Sequence, residues 1–195
     1  ALSAWSGIPI LTLQHFLYGG ACLLVVLALR PVVRNPLVLF AGFLILLFNP
    51  LTYSYPLMSA TLRASLYLSL SLVVFASMLG LWTSRRDSGW RPVLWATCLG
   101  ISFAWLWITR EESVWTIPAA VFFLAIYLAP CSWNRGSSLL PRVAVVIIPL
   151  VILALTQFVI MRMNESYYGV AVTNELKSDE FTSALGGLMR IKHEK

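Results

Sequence analysis

Arg110, Glu111 and Glu112 stand side by side between two long apolar runs, with Trp107 and Trp115 on either flank. In a chain with only 11% charged residues, such a cluster is either a solvated turn or a working site. Ionisable groups near a membrane are costly, and they persist where they pair or act. A guanidinium offers a planar fork of donors that matches phosphate oxygens. A carboxylate beside it can orient a sugar hydroxyl or accept a proton. The chemistry these residue types suggest is the handling of a lipid-borne phosphate at the outer surface of a membrane. Glu111 and Glu112 are the candidate catalytic groups, and Arg63, Arg110, Arg162, Tyr53 and Tyr55 the candidate substrate-binding groups. The plainer reading stays open beside it. A short turn between two membrane spans needs polar residues, and an exposed Arg110–Glu111 pair contributes less than about 1 kcal/mol.

The elements that would position these groups follow from the apolar pattern. Of the 195 residues, 59% are hydrophobic. Soluble domains carry about a quarter charged residues, so this chain cannot cover a water-facing surface. Six apolar segments stand out, at residues 10–29, 37–48, 62–82, 93–109, 114–129 and 143–161. Only helices and closed barrels satisfy the backbone in lipid, and runs of this length exclude a barrel. The expected fold is therefore all-α, a polytopic transmembrane helix bundle over residues 1–161. A polar outer-face tail, 162–195, follows, with a short amphipathic helix suggested by Phe181, Leu185, Leu188 and Met189. The second segment lies between Pro36 and Asn49-Pro50. Twelve helical residues reach about 18 Å against a hydrocarbon core of about 30 Å, so this segment is a short span or a re-entrant half-helix.

Charge placement favours a crossing. If the second segment crosses, Arg30, Arg34, Arg85, Arg86, Arg91, Arg135 and Arg142 all fall on one side, opposed there only by Asp87. The positive-inside rule then makes loops 30–36, 83–92 and 131–142 cytoplasmic, and the C-terminal tail lies outside. Trp82, Trp90 and Trp133 flank one set of segment ends, and Trp5, Trp105, Trp107 and Trp115 the other, as an interfacial belt requires. A bacterial inner or plasma membrane fits this pattern. The net charge of +6 is spread over short loops, which argues against a nucleic-acid partner. The pairs Ala76/Gly80 and Gly100/Ala104 have the spacing that lets helices approach closely, although such pairs are common by chance. Pro149 should kink the sixth segment.

No cofactor or metal site is expected. His15 is the only histidine within a span, so a bis-histidine haem site is excluded, and no Cys/His spacing suits zinc. A histidine bonded to a neighbouring helix is the simpler account. Cys22 and Cys98 read as small buried apolar groups, and Cys131 as a loop residue. Phosphate-cradling glycine loops and serine-hydrolase arrangements are lacking.

From residue 61 to about residue 128 the chain resembles the middle of a GT-C superfamily membrane glycosyltransferase. Leu62-Arg63-Ala64-Ser65-Leu66-Tyr67 is similar to that superfamily's long helix headed by an outer polar residue. Ser84-Arg85-Arg86-Asp87 is similar to its basic cytoplasmic loop, and the run from Leu99-Gly100 to Arg110-Glu111-Glu112, then Pro118, to its following helix and outer turn. The resemblance implies transfer of a sugar from a polyprenyl-phosphate donor on the outer face. It also implies that Arg63 and Arg110 hold the lipid-linked phosphate while Glu111 or Glu112 positions the sugar. The superfamily's catalytic acid usually sits in an outer loop between its first two helices. Asp87 and Asp179 are the only aspartates here, and Asp87 is on the cytoplasmic side. The acid would then lie upstream of Ala1, with residues 1–9 the end of that loop. Two other classes remain open. One is a non-catalytic subunit packed among other membrane subunits. The other is a small transporter, which the scarcity of ionisable groups in mid-span disfavours.

Overall fold

The computed structural model describes residues 10–50, 63–85, 87, 89–109, 116–133, 139–169, 171 and 183. Six helices carry these residues: α1 (Ile10–Leu29), α2 (Pro36–Leu47), α3 (Arg63–Thr83), α4 (Arg91–Thr109), α5 (Thr116–Trp133) and α6 (Leu139–Tyr168). The protein is an all-α helical bundle. Four helices contain a stretch long and apolar enough to cross a membrane: Thr12–Leu29, Leu66–Thr83, Arg91–Thr109 and Arg142–Tyr168. Two shorter apolar stretches, Pro36–Leu47 and Thr116–Leu128, accompany them. Large apolar side chains such as Phe16, Phe40, Ile45, Phe75 and Phe122 are exposed, and a surface of that kind needs a bilayer around it.

Local chemistry sets the helix ends. Asn35 caps α2, its side-chain oxygen accepting from the Leu37 N–H at 3.0 Å, and Pro36 takes the first helical position, where no N–H is needed. Hydroxyls within the helices are turned back on their own backbone. Ser71 donates to the Tyr67 carbonyl at 2.7 Å, Ser77 to Val73 at 2.7 Å and Thr109 to Trp105 at 2.7 Å. In lipid this hides a polar group that has no water to turn to. The sixth segment extends beyond its apolar stretch, because α6 continues through Arg162 to Tyr168 and stops where Gly169 adopts φ +72°. The Gly169 N–H donates back to the Glu165 carbonyl at 2.9 Å, a left-handed glycine cap. Pro149 lies within α6, and the helix runs on through it.

One expectation is corrected at the end of α5. Cys131 belongs to that helix rather than to a loop, because α5 passes Pro130 and reaches Trp133. Proline removes one backbone donor there but leaves the final carbonyls free to close the last turn.

Two compact units divide the chain, Ala1–Leu153 and Ala154–Lys195. In the first, α1 packs on α3, α3 on α4, and α2 on α1. One apolar cluster joins Leu70, Val74 and Leu81 of α3, Ala96, Leu99, Phe103 and Leu106 of α4, Tyr127 of α5 and Val145 of α6. Tyr18 and Cys22 of α1 form another with Phe43, Leu46 and Leu47 of α2 and Leu68 and Leu72 of α3. Small residues mark the crossings. Gly80 lies against the Trp95 ring, and Gly100 against the Pro149 backbone and Ile152, so close that an added Cβ would stand 2.9 Å from both. Ala76 and Ala104 are fully buried beside them. Lipid tails are as apolar as leucine, so close packing of this sort, rather than escape from water, holds such helices together.

The order of these contacts fixes chain direction. Thr83, at the end of α3, donates to the Ala28 carbonyl at the end of α1 at 3.2 Å, while Tyr18 and Cys22 meet Leu68 and Leu72 nearer the helix starts. Helices α1 and α3 therefore run parallel, and the chain between them must return along their length. Helix α2 makes part of that return: the Tyr18 hydroxyl, midway along α1, donates to the Leu46 carbonyl at the far end of α2, at 2.5 Å. Helix α4 then runs antiparallel to α3, since Gly80 near the end of one meets Trp95 near the start of the other.

Candidate functional site

The directions of the helices gather the arginines at one end. Arg30 follows α1, Arg85 follows α3 and Arg91 opens α4, and the Thr83–Ala28 bond ties these ends together. Between them lies a cleft of about 580 Å³. Leu27, Leu94 and Trp95 form its apolar wall, Thr83 and Ser84 lie at the seam, and Arg30, Arg91, Asp87 and Trp90 line its polar part.

The turn between α3 and α4 shapes one side of it. The Ser84 N–H and hydroxyl both engage the Gly80 carbonyl, at 3.0 and 2.7 Å, and the Asp87 N–H donates to the Ser84 carbonyl at 2.9 Å. Arg85 lies over the Trp82 ring, 4.0 Å from its centre. This takes up its charge in a cation–π contact. Arg91 and Asp87 stand 3.7 Å apart, with 66% and 43% of their side chains exposed. That separation and exposure make a weak pair, and salt screens it further. Arg30 has no carboxylate partner among the described residues. The cleft is thus a concave, cation-rich site with an apolar wall. Sequence reasoning used these arginines to orient the chain, and Arg85 also in the likeness of 84–87 to a basic loop, but not as parts of a site. Nothing local marks the cleft, because the end of α1 and the α3–α4 turn are joined only by folding.

Of the groups singled out from sequence, only Arg63 and Arg162 belong to described helices. Tyr53, Tyr55, Arg110, Glu111 and Glu112 lie outside the described residues. Arg63 is the first residue of α3. The Gly80–Trp95 register, carried back along the antiparallel pair, brings that helix start to the end of α4 at which Thr109 lies. At this same end sequence reasoning passed over Gln14, the single amide in the first apolar segment. It is 3% exposed, one turn before Tyr18 on the same face of α1, and its Oε1 has no hydrogen-bond partner among the described residues. A buried acceptor left unpaired costs about 1–3 kcal/mol, so its presence asks for a reason.

In the second unit, Arg162 Nη1 donates to Glu165 Oε2 at 2.9 Å, and its guanidinium lies 5.4 Å from the Phe158 ring centre. Both charged side chains are largely exposed, so the pair contributes under about 1 kcal/mol. His15 is exposed on α1, Cys22 is fully buried and Cys98 half-buried. Among the described residues no group of three His, Cys, Asp or Glu could hold a metal ion.

Compared with known proteins, the chain matches no family model, no curated protein and no solved structure.

Proposed function

We propose that this integral membrane protein belongs to a glycosyltransferase of the GT-C type. It would take a sugar from a polyprenyl-phosphate donor at the end of the bundle where α3 starts and α4 stops. The observation that supports the reading is Gln14, a buried amide in the first half of α1 whose acceptor oxygen has no partner among the described residues. An acceptor kept unpaired in an apolar seam suits a ligand hydroxyl, and a sugar supplies several. The antiparallel packing of α3 on α4 adds support, since it brings the start of the helix headed by Arg63 to the end of α4, which Arg110 follows in sequence. In this reading Arg63 and Arg110 neutralise the donor phosphate, Glu111 or Glu112 orients the transferred sugar, and Tyr53 and Tyr55 contribute further contacts at the outer surface.

The test is transfer of a radiolabelled sugar from polyprenyl phosphate by the full-length protein in vesicles, with Arg63→Ala, Arg110→Ala and Gln14→Leu compared with the unaltered chain. Charge-assisted phosphate contacts contribute about 1.5–3 kcal/mol each, so each arginine variant should lose about tenfold or more. Unchanged transfer in both arginine variants would remove the proposed roles.

A second reading, a non-catalytic subunit of a membrane complex, is favoured by α2. None of its residues is fully buried: Phe43, Leu46 and Leu47 pack against α1, while Leu37, Val38, Phe40 and Ile45 are left to lipid or to another chain. Purification with stoichiometric partners and no turnover of lipid-linked sugars would select it.

A further inference from the structure

We infer that the cleft between the end of α1 and the α3–α4 turn binds the phosphate group of an anionic amphiphile. This inference stands apart from the transfer reading, because the cleft lies at the opposite end of the α3–α4 pair from Arg63.

The lining divides by chemistry. Leu27, Leu94 and Trp95 come from within the helices, and Arg30, Trp90 and Arg91 from their ends. Arg30 follows the last turn of α1, and Arg91 is the first residue of α4. Both sit where long apolar stretches end, which is headgroup level for a spanning helix. Basic hollows between helix ends at that level are suited to phosphate headgroups. The cavity, about 580 Å³, falls within the range of about 300–1,000 Å³ found for small-molecule sites.

Charge decides the sign of the ligand. Two guanidinium groups face one carboxylate in the lining, that of Asp87. Among the described residues the Asp87 carboxylate is engaged only by the long 3.7 Å pair with Arg91. A phosphate oxygen can displace such a contact and leave Asp87 to water, since 43% of its side chain is already exposed. Helix α4 begins at the same place, and the positive end of its dipole adds to the field. The hydroxyls of Thr83 and Ser84 contribute no donor, because both are spent on backbone carbonyls. The arginines must therefore carry the recognition, which makes them the residues to change. Trp90, 69% exposed, stands at the opening as an interfacial ring that can cover a headgroup.

The same phosphate chemistry could reach the cleft from a lipid or from free solution, and the experiment separates the two. The full chain in detergent is titrated with dioctanoyl phosphatidylglycerol, dioctanoyl phosphatidylcholine and inorganic phosphate, with binding read by calorimetry. Phosphatidylglycerol should bind about tenfold or more tightly than phosphatidylcholine, the discrimination expected of one charge-assisted contact not offset by a choline cation. Arg30→Gln and Arg91→Gln should each abolish that preference. Arg34→Gln changes a charge at the same end but not in the lining, and should leave it intact. Asp87→Asn should tighten binding several-fold by removing the competing carboxylate, and it keeps the proposal testable if an arginine variant fails to fold. Saturable binding of inorganic phosphate, lost in the same two variants, would assign the source to free phosphate. Equal affinity for the two lipids with no phosphate binding would overturn the proposal, as would an equal loss on changing Arg34.

Discussion

Replacing Gly100 by Ala should destabilise the protein, although the same change at Gly20 should stabilise it. Both glycines lie inside helices, where alanine is the better helix former by about 1 kcal/mol. They differ in what the new methyl group meets. At Gly20 nothing lies within 4 Å of an added Cβ, whereas at Gly100 it would stand 2.9 Å from Pro149 Cα and from Ile152 Cβ and Cδ1. Comfortable carbon contacts lie at about 3.5–4.0 Å, so relief needs a movement of about 0.6–1.1 Å. A flexible side-chain tip could give that much, but Pro149 Cα is backbone within α6 and cannot move alone. Overpacking of this kind costs about 1–3 kcal/mol. Against the propensity gain, Gly100→Ala should lose up to about 2 kcal/mol net, and its difference from Gly20→Ala isolates the packing cost at about 1–3 kcal/mol. Thermal unfolding in one detergent, followed by circular dichroism and by size-exclusion fluorescence, reads this as about 2–4 °C per kcal/mol for a chain of this size. Equal or higher stability of Gly100→Ala would refute the α4–α6 approach on which the argument rests.

Gln14→Leu should raise the unfolding temperature, by the equivalent of about 1 kcal/mol or more, because it removes a buried unpaired acceptor; in a transferase it should also lower sugar transfer, so a gain in stability with full activity would reduce Gln14 to a tolerated defect. Thr83→Val keeps the shape but removes the hydroxyl that ties α3 to the Ala28 carbonyl, and should cost about 0.5–1.5 kcal/mol with faster hydrogen exchange at the end of α1; unchanged exchange there would show that the 3.2 Å contact does not hold the two helices. In a chain with its native cysteines replaced, Arg34→Cys should be shielded from an impermeant thiol reagent in intact cells and Ser54→Cys labelled, as a crossing second segment requires; labelling of both would reverse that topology.

Much of the helical architecture was legible because apolar length reports lipid directly. Residues 10–29 coincide with α1, and the other five segments start or end within a few residues of their helices. Hydropathy failed where helix and lipid part company. Helix α6 goes on through Arg162, Asn164 and Glu165, since backbone hydrogen bonds need no apolar side chains and the Arg162–Glu165 pair at three-residue spacing suits a helix. Gly169, which ends it, was a readable cap that apolar counting overlooked. The spacing of Ala76/Gly80 and Gly100/Ala104 was visible, but chance produces many such pairs, and only the Trp95 ring and the Pro149 backbone distinguish these. The basic cleft was hidden because it joins residues more than fifty positions apart in sequence, such as Leu27 and Thr83. Gln14 could have been noticed as a lone amide in an apolar run, yet only its burial with an unpaired Oε1 among the described residues gives it meaning.

The brevity of α2 has a mechanical consequence for the membrane itself. Its twelve residues span about 18 Å, and the apolar part of α5, Thr116–Leu128, is scarcely longer, while α1 and α3 reach about 30 Å. A bilayer of uniform thickness cannot match both. Around the short helices the hydrocarbon must thin or the flanking side chains must stretch toward the headgroups, at a fraction of a kcal/mol per ångström of mismatch. Shorter-chain lipids should relieve that cost, and indifference of the protein's stability to lipid chain length would argue against it. A crossing α2 would therefore make its own flank the place where the bilayer is thinnest and where a long-chain lipid has least hydrocarbon to cross.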